Sequence, residues 1–295
     1  MSVAVGANPQ GCCYDSGTGC IFVLNYGDPS VTKVNATTGA VVGTYAIATP
    51  GYGICSDGAG NIWLNVTGHL IQMSAASGSV LNTFVVAGTA GGICFDANSG
   101  ALFMAAASTV KKVSTAGSIL STIVCAGTMW GVCSDNAGFI YSPNSAGTLL
   151  YKMSNVSGTS AFTSSATVGS GPQGCCYEPV TGTVWTANAT ANNVTKVVVS
   201  TMTPTNYSIG FGTNLQGAAA DGTGNVWFTN TASFWVTSAA SVSWVGNFVK
   251  NFVTPTLGCC WSGSKIWGTD AGSAIVAVYP DFPYQLNYVP INTRP

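Results

Sequence analysis

The sequence predicts an all-β chain made of seven copies of one unit of about 40 residues, each a four-stranded antiparallel sheet. A pattern of Gly, a small residue, Asp, a glycine-rich turn, an apolar residue, an aromatic residue and Asn recurs from end to end, and residues 53–65 show it in full. Short β-rich runs alternate with clusters of Gly, Asn, Asp and Ser, which is typical of strands and turns. Helical spacing of apolar residues is missing, and the 37 glycines disfavour helices.

The repeat is aligned on the glycine that opens each copy. The steps between successive glycines are 42, 39, 39, 43, 43 and 41 residues, close to the period of about 40 to 45 residues typical of propeller blades. The copies fill residues 1–295 without a linker, so we predict a single seven-bladed β-propeller domain, a closed ring that leaves only short edges. The opening glycines are Gly11, Gly53, Gly92, Gly131, Gly174, Gly217 and Gly258.

Each copy divides into four strands, of which the first lies innermost. In the second copy we expect strands over 54–56, 61–66, 69–74 and 80–86, with turns between them. In the last copy we expect strands over 259–262, 265–269, 274–279 and 285–289. Residues 2–5 either add a strand beside the last one or replace it, and the sequence does not choose between these two ways of closing the ring.

Composition excludes several classes of function. Only 6% of the residues are charged, against an average of roughly 25%, and the net charge of -1 gives little attraction for nucleic acid. No apolar run of about 18 residues occurs, so we expect no membrane insertion. Residues 1–5 lack a basic region, so we expect no signal peptide and synthesis in the cytoplasm. The 11 cysteines are then expected to be reduced thiols.

Two recurring positions are predicted to form the core between blades. One aromatic residue stands at the same place in the second strand of every copy, which favours packing. The third residue of the inner strand is Cys in six copies and Ala in one, so a small buried group explains it better than a metal or redox site. The aromatic residues are Phe22, Trp63, Phe103, Tyr141, Trp185, Trp227 and Trp267. The small residues are Cys13, Cys55, Cys94, Cys133, Cys176, Ala219 and Cys260.

An acidic residue recurs at the first turn of the copies. Its carboxylate is expected to accept a hydrogen bond from the backbone two residues on and so to hold the hairpin turn. A calcium site needs several such groups in one place, and one per blade does not provide it. The acidic residues are Asp15, Asp57, Asp96, Asp135, Glu178 and Asp221, with Ser262 in the last copy.

Polar and aromatic residues outside the core define a candidate binding face. The second strand ends in Asn or Asp in six copies, and the turn that follows shares a face of a propeller with the loop that leads into each inner strand. Such residues form turns, and loops also carry function. Tyr52 and Trp130 interrupt the small-residue pattern of their loops and are the predicted anchors. The strand-end residues are Asn25, Asn65, Asn144, Asn188, Asn230 and Asp270, and the loop amides are Gln10, Gln173 and Gln216.

Catalytic motifs are missing from the sequence. His69 is the only histidine and begins a third strand, and Glu178, the only glutamate, occupies a turn position. Neither a serine triad nor a carboxylate pair is supported, and no phosphate-binding motif appears. We therefore predict no catalytic residue, no metal site and no cofactor.

The sixth copy carries a blade signature in residues 217–230, which read Gly-Ala-Ala-Ala-Asp-Gly-Thr-Gly-Asn-Val-Trp-Phe-Thr-Asn. It resembles the repeat of the NHL, YVTN and streptogramin-lyase-like β-propellers, and the resemblance spans all seven copies. It implies the fold. Streptogramin lyases use a His and a Glu near a magnesium ion in late blades, whereas copies five to seven here contain no His, so lyase activity is not implied.

The sequence as a whole favours a non-enzymatic binding or assembly module. A charge-poor surface associates readily, so the expected partners are other protein chains of a larger assembly, or a surface receptor or glycan. A virion protein of the tail, capsid surface or attachment type fits this description by association. The alternative is a propeller enzyme of the streptogramin-lyase or lactonase type, for which a divalent ion at the mouth of the central channel would be the sign.

Overall fold

The computed structural model describes residues 1–88, 90–155, 162–208, 214–230, 233–240, 244–249, 258–270, 272 and 274–278. These residues form seven four-stranded antiparallel sheets and no helix, so the predicted seven-bladed propeller is confirmed. In the same residues no helix has the length and apolar character needed to cross a membrane.

In blades 1 to 6 the strands follow one another in chain order from the central channel outward. Blades 1 and 2 contain β2 Pro9–Asp15, β3 Cys20–Asn25, β4 Ser30–Asn35, β5 Val41–Ala46, β6 Gly51–Ser56, β7 Asn61–Val66, β8 His69–Ser74 and β9 Val80–Val85. Blades 3 and 4 contain β10 Ile93–Asp96, β11 Ala101–Ala106, β12 Thr109–Ser114, β13 Ile119–Val124, β14 Cys133–Ser134, β15 Phe139–Pro143, β16 Leu149–Ser154 and β17 Phe162–Thr167. Blades 5 and 6 contain β18 Pro172–Glu178, β19 Thr183–Asn188, β20 Asn193–Val198, β21 Thr203–Ser208, β22 Ala218–Ala220, β23 Asn225–Thr229, β24 Ser233–Ser238 and β25 Trp244–Val249.

Blade 7 joins the two ends of the chain. Its inner strands are β26 Cys259–Trp261, β27 Ile266–Asp270 and β28 Ala274–Val278, and its outer strand is β1 Ser2–Ala4. The register pairs Ser2 with Val276 and Ala4 with Ala274. The N-terminal strand therefore stands directly beside the third strand, in the place of the fourth. The strand predicted over 285–289 lies outside the described residues.

The core lies between the blades. All seven recurring aromatic side chains are fully buried, which confirms their predicted role. Trp63 of blade 2, for example, packs in one cluster with Ile93 and Leu102 of blade 3. Sheets stacked face to face in this way hide both of their surfaces, which is why a side chain of tryptophan size fits at the same place in each copy.

The recurring cysteines pack in the same layer as free thiols. Cys13 faces the following blade beside Ile54, while its neighbour Cys12 faces the preceding blade beside Cys260. Burial raises the pKa of the Cys55 thiol well above its ordinary value. The described residues contain no cluster of three or more metal-ligating side chains. The prediction of core packing is confirmed.

The turn acids accept the predicted backbone hydrogen bond in four blades and a different one in blades 1 and 3. In even-numbered blades the carboxylate accepts the backbone N–H two residues on, as Asp57 does from Ala59 at 2.8 Å. In blades 1 and 3 the acid is buried and accepts the backbone N–H three residues on instead, as Asp15 does from Thr18 at 2.8 Å, and Glu178 of blade 5 accepts both N–H groups. Asp15 in addition accepts the Ser56 hydroxyl of blade 2 at 2.7 Å, so this acid joins two blades as well as closing its own turn.

Five lysines connect neighbouring blades, a role the sequence reading missed. Each ammonium reaches a backbone carbonyl on the next blade, and each lies 4.0–5.8 Å from an aromatic ring of its own blade. Lys33 is only 5% exposed, and its Nζ donates to the Ala75 carbonyl at 2.7 Å and the Ala76 carbonyl at 3.0 Å. The other four lysines are Lys112, Lys152, Lys196 and Lys265.

Candidate functional site

The glycine that opens each copy positions the candidate site. At these glycines the inner strands of neighbouring blades come so close that no side chain fits between them. A Cβ at Gly11 would lie 2.5 Å from the Tyr52 carbonyl oxygen, and one at Gly131 would lie 2.5 Å from the Gln173 carbonyl oxygen. Because the carbonyl belongs to the residue just before the next glycine, the contact sets these preceding residues side by side. They form a ring at one end of the channel, which we call the mouth.

One side of the mouth is aromatic. Tyr52 lies between Tyr26 and Trp130, with ring centroids 4.9 and 5.0 Å apart and interplanar angles of 35° and 57°. These three half-buried rings are the aromatic arc. Blade 3 contributes glycine here, and the Trp130 carbonyl accepts the Gly92 N–H at 2.6 Å. The missing side chain lets Trp130 of blade 4 reach Tyr52 of blade 2.

Tyr52 keeps its proton at neutral pH. Burial, followed by a hydrogen bond with Tyr26, raises the pKa of Tyr52 to about 12. Its hydroxyl is therefore a neutral hydrogen-bonding group in the aromatic arc, and it does not act as a base.

The other side of the mouth carries amides. Gln10, Gln173 and Gln216 precede the opening glycines of blades 1, 5 and 6, and we call them the amide arc. Gln10 is buried, and its Nε2 donates to Asn8 Oδ1 at 2.8 Å. Its carbonyl accepts the Thr269 hydroxyl of blade 7 at 3.1 Å. The corresponding position of blade 7, residue 257, lies outside the described residues.

Tyr52, Trp130 and the amide arc surround a cavity of about 150 Å³, and Tyr26 lies behind Tyr52 and is not a lining residue. Below the mouth residues its wall is made of the opening glycines and the first side chains of the inner strands, among them Ile54, Val132, Cys175 and Cys259. None of the described lining residues is charged. Burial raises the pKa of Cys259 well above its ordinary value, so this thiol is neutral as well. The site is polar without being ionic.

The strand-end residues named in the predicted face lie below the mouth. Asn25, Asn65, Asn144, Asn188, Asn230 and Asp270 are all 9% exposed or less. The amides of four of them, Asn25, Asn65, Asn144 and Asn188, bond within the molecule, as Asn25 Nδ2 does to the hydroxyls of Ser30 and Thr32 at 3.0 Å. Asn65 Nδ2 donates to the Gly91 and Ala105 carbonyls of blade 3, both at 3.0 Å, and so joins blades 2 and 3. A direct binding role for these residues stays a prediction.

The remaining titratable candidates lie away from the cavity. His69 begins β8 with its Nδ1 3.2 Å from the Thr67 carbonyl oxygen, and it does not line the cavity. Glu178 is buried in its turn, where it accepts the backbone N–H groups of Val180 and Thr181. The structure therefore brings together Tyr52, Trp130 and the three glutamines, and it leaves the only histidine and the only glutamate elsewhere.

Sequence reasoning missed Tyr26. This residue follows Asn25 directly, whereas the residues after Asn65, Asn144, Asn188 and Asn230 are Val, Ser, Ala and Thr. The criterion that singled out Tyr52 and Trp130, a large aromatic residue among small ones, also applies to Tyr26.

Comparison with known proteins identifies solved structures of the same fold but no related sequence family. No family model and no curated protein sequence matches the chain. Virginiamycin B lyase from Staphylococcus aureus has a similar structure, with a TM-score of 0.80 at 14% identity over 95% of this chain and 98% of that one. A catalytically inactive His-to-Ala variant of that lyase with quinupristin gives 0.78 at 14%, over 93% and 97%. Hydrazine synthase from Kuenenia stuttgartiensis gives 0.83 at 11%, over 93% and 96%. At such identities the likeness shows the fold alone.

Proposed function

We propose that this chain is a non-enzymatic binding module whose ligand site is the mouth of the channel. The observation that carries the proposal is the division of the mouth into an aromatic arc and an amide arc around an uncharged cavity. Aromatic side chains with a few convergent polar groups are the usual lining of a ligand pocket. Tyr and Trp in particular contribute large contact areas at binding sites.

The chemistry of the lining favours binding over catalysis. Acid–base catalysis needs a group whose pKa lies near the operating pH. At the mouth the pKa of Tyr52 is about 12, and the pKa of Cys259 is also raised. At neutral pH these groups hold their protons, so they present neutral hydrogen-bonding groups and no base or thiolate.

The competing function is an enzyme like the lyases that share the fold. In the similar lyase a His-to-Ala variant is catalytically inactive. The only histidine of this chain, His69, is not a lining residue of the cavity. The two functions are separated by incubating the purified chain with quinupristin and magnesium and following the compound by reversed-phase chromatography, because opening a ring by elimination leaves the mass unchanged. An unchanged retention time is expected, and a new peak formed at a rate that depends on the chain would favour the enzyme.

A second surface supports the proposed role in an assembly. The outer strands of blades 1, 2 and 3 each begin with two neighbouring apolar residues that are 43–54% exposed, and none of these strands contains a charged residue. Outer strands are usually protected from pairing by charges, proline or a covering element. The exposed pairs are Val41 and Val42, Val80 and Leu81, and Ile119 and Leu120.

We therefore propose that the rim of blades 1–3 contacts another subunit. The sequence-based expectation of a virion protein stays a prediction within this proposal. The test is sedimentation velocity of the full chain and of a variant with Val42→Lys, Leu81→Lys and Leu120→Lys. Species heavier than 29.9 kDa are expected for the natural chain and are lost in the variant. A monomer at every concentration, both pure and in an extract of the cells that make it, would remove the assembly role.

Ligand binding at the mouth is tested with small probes of several chemical classes. Neutral sugars, primary amides, carboxylates and quaternary ammonium ions are screened by saturation-transfer NMR against the natural chain and against Tyr52→Ala/Trp130→Ala. At least one class is expected to bind the natural chain and not the double variant. Phe162→Ala removes an exposed aromatic residue from the rim and serves as the control. If no probe distinguishes the double variant from the control, the mouth is not the ligand site.

A further inference from the structure

The uncharged lining restricts the class of ligand. A carboxylate or phosphate ligand is normally held by Arg or Lys, and burying a charge of either sign is costly unless an opposite charge pairs with it. The described lining has neither a basic nor an acidic side chain. The five lysines described above are directed to carbonyls between blades. A neutral ligand is therefore the one that leaves no charge uncompensated in the cavity.

The two arcs require a ligand with one apolar side and one polar side. The rings of Tyr52 and Trp130 are tilted toward each other and form an aromatic wall of the cavity, and Tyr26 packs on Tyr52 without lining the cavity. Opposite this wall stand the side chains of Gln173 and Gln216. A purely apolar ligand would bury these amides without partners, which is costly.

Gln216 provides a second and independent observation. Its Oε1 is buried and accepts no hydrogen bond from the part of the chain that the structure describes. Because almost none of its surface is accessible, this acceptor can bond to a ligand donor only when the side chain turns toward the mouth, and such a turn would satisfy it. A hydroxyl group meets this need without introducing charge.

The size of the cavity restricts the ligand further. About 150 Å³ is below the roughly 300–1,000 Å³ of pockets that enclose a drug-sized molecule. The cavity therefore holds a single ring of the ligand, and the remainder lies outside the mouth.

From these constraints, and building on the proposed binding function, we propose that the mouth binds one neutral sugar ring of a glycan. The C–H face of the ring packs on Trp130 and Tyr52, and its hydroxyls bond to Gln173 and Gln216. A sugar ring combines an apolar face with an edge of hydroxyls, which matches an aromatic wall that stands opposite amides. A neutral peptide segment is the competing ligand and is an outcome of the test.

The experiment is a glycan array probed with the labelled full chain, followed by titration of the best neutral saccharide. Glycans that end in a neutral sugar are expected to bind, and those that end in sialic or uronic acid are expected to bind more weakly. In the titrations Trp130→Ala and Gln216→Leu are expected to lower the affinity by about tenfold or more. Phe162→Ala, on the rim, is expected to leave it unchanged. Thermal unfolding of each variant shows that it is folded, and Gln216→Leu by itself gives the result if Trp130→Ala does not fold.

Three results would overturn the sugar assignment. If a saccharide binds equally to all variants, it binds elsewhere on the chain. If no neutral saccharide binds while a peptide or another probe class still depends on Trp130 and Tyr52, the ligand class is wrong and the binding function of the mouth stands. If no probe of any class depends on these residues, both proposals fail.

Discussion

Replacing Lys33 with Met removes one of the connections between blades 1 and 2 while keeping the length of the side chain. The ammonium donates to two carbonyls, of which the Ala75 carbonyl belongs to a fully buried residue and the Ala76 carbonyl to an exposed one. After the substitution water can reach the second carbonyl but not the first. The methionine stem still packs on Phe22, whose ring lies 5.5 Å from the ammonium in the natural chain.

The expected cost is about 2 kcal/mol. A hydrogen bond to a charged group contributes roughly 1.5–3 kcal/mol, and a buried carbonyl left without a donor loses a comparable amount. Part of the loss is offset because the variant no longer buries an ammonium. In a chain of this length about 2 kcal/mol corresponds to a fall of about 3 °C in the unfolding midpoint. Urea unfolding measures the free energy, and calorimetry measures the midpoint.

Gln72→Met is the matched control. Gln72 stands opposite Trp63 in blade 2 as Lys33 stands opposite Phe22 in blade 1. Its side chain bonds to Asn61 and Asn82 of its own blade, so we expect a loss below about 1 kcal/mol. Equal losses for Lys33→Met and Gln72→Met would refute the idea that the lysine holds two blades together.

Two further predictions concern the close approach of the inner strands and the buried thiols. Gly92→Ala would place a Cβ 3.0 Å from the Trp130 carbonyl oxygen, so we expect the free energy of unfolding in urea to fall by roughly 1–3 kcal/mol. Gly17→Ala is the control, because its Cβ would lie 3.6 Å from the nearest atom. A similar loss in both variants would contradict the steric argument. Burial raises the pKa of Cys55 and Cys176 in the folded chain. Below the unfolded thiol pKa of about 8.5 both states are protonated, and the contribution of these thiols to stability is complete. As the pH rises above that value only the unfolded chain releases the protons, so the folded chain loses stability. Urea unfolding between pH 7 and 10 measures this loss of stability. The double variant Cys55→Ala/Cys176→Ala should weaken the dependence of stability on pH, and it introduces the residue that blade 6 naturally has at Ala219. An unchanged dependence would show that other groups cause it.

Much of the fold follows from the sequence because it depends on repetition. Each copy carries its own turn acid, aromatic residue and small inner-strand residue, and each residue acts at the same place in its blade. Trp63 and Asp57, for example, are joined by the hydrogen bond from the indole Nε1 to Oδ2 at 3.0 Å within one copy. Local chemistry of this kind can be read from one copy and checked against six others.

The mouth was only partly predictable. Tyr52 and Trp130 stand out in their loops, but 78 residues separate them in the chain, and their 5.0 Å contact exists only because blade 3 contributes glycine between them. In the sequence, asparagines at strand ends look the same whether they form an exposed polar face or a buried one, and here they are buried. Whether an amide faces solvent or a neighbouring carbonyl is decided by packing, which the residue type does not specify.

The sequence alone determined the number of blades, the order of the strands and the chemistry of the turns, because these depend on contacts within about 40 residues that recur seven times. The tertiary structure alone decided how the ring closes, where the lysines reach and which loop residues meet at the mouth. Each of these features joins residues of different blades. Such contacts have no signature at short spacing in the chain, since they arise only when the opening glycines bring neighbouring inner strands into contact.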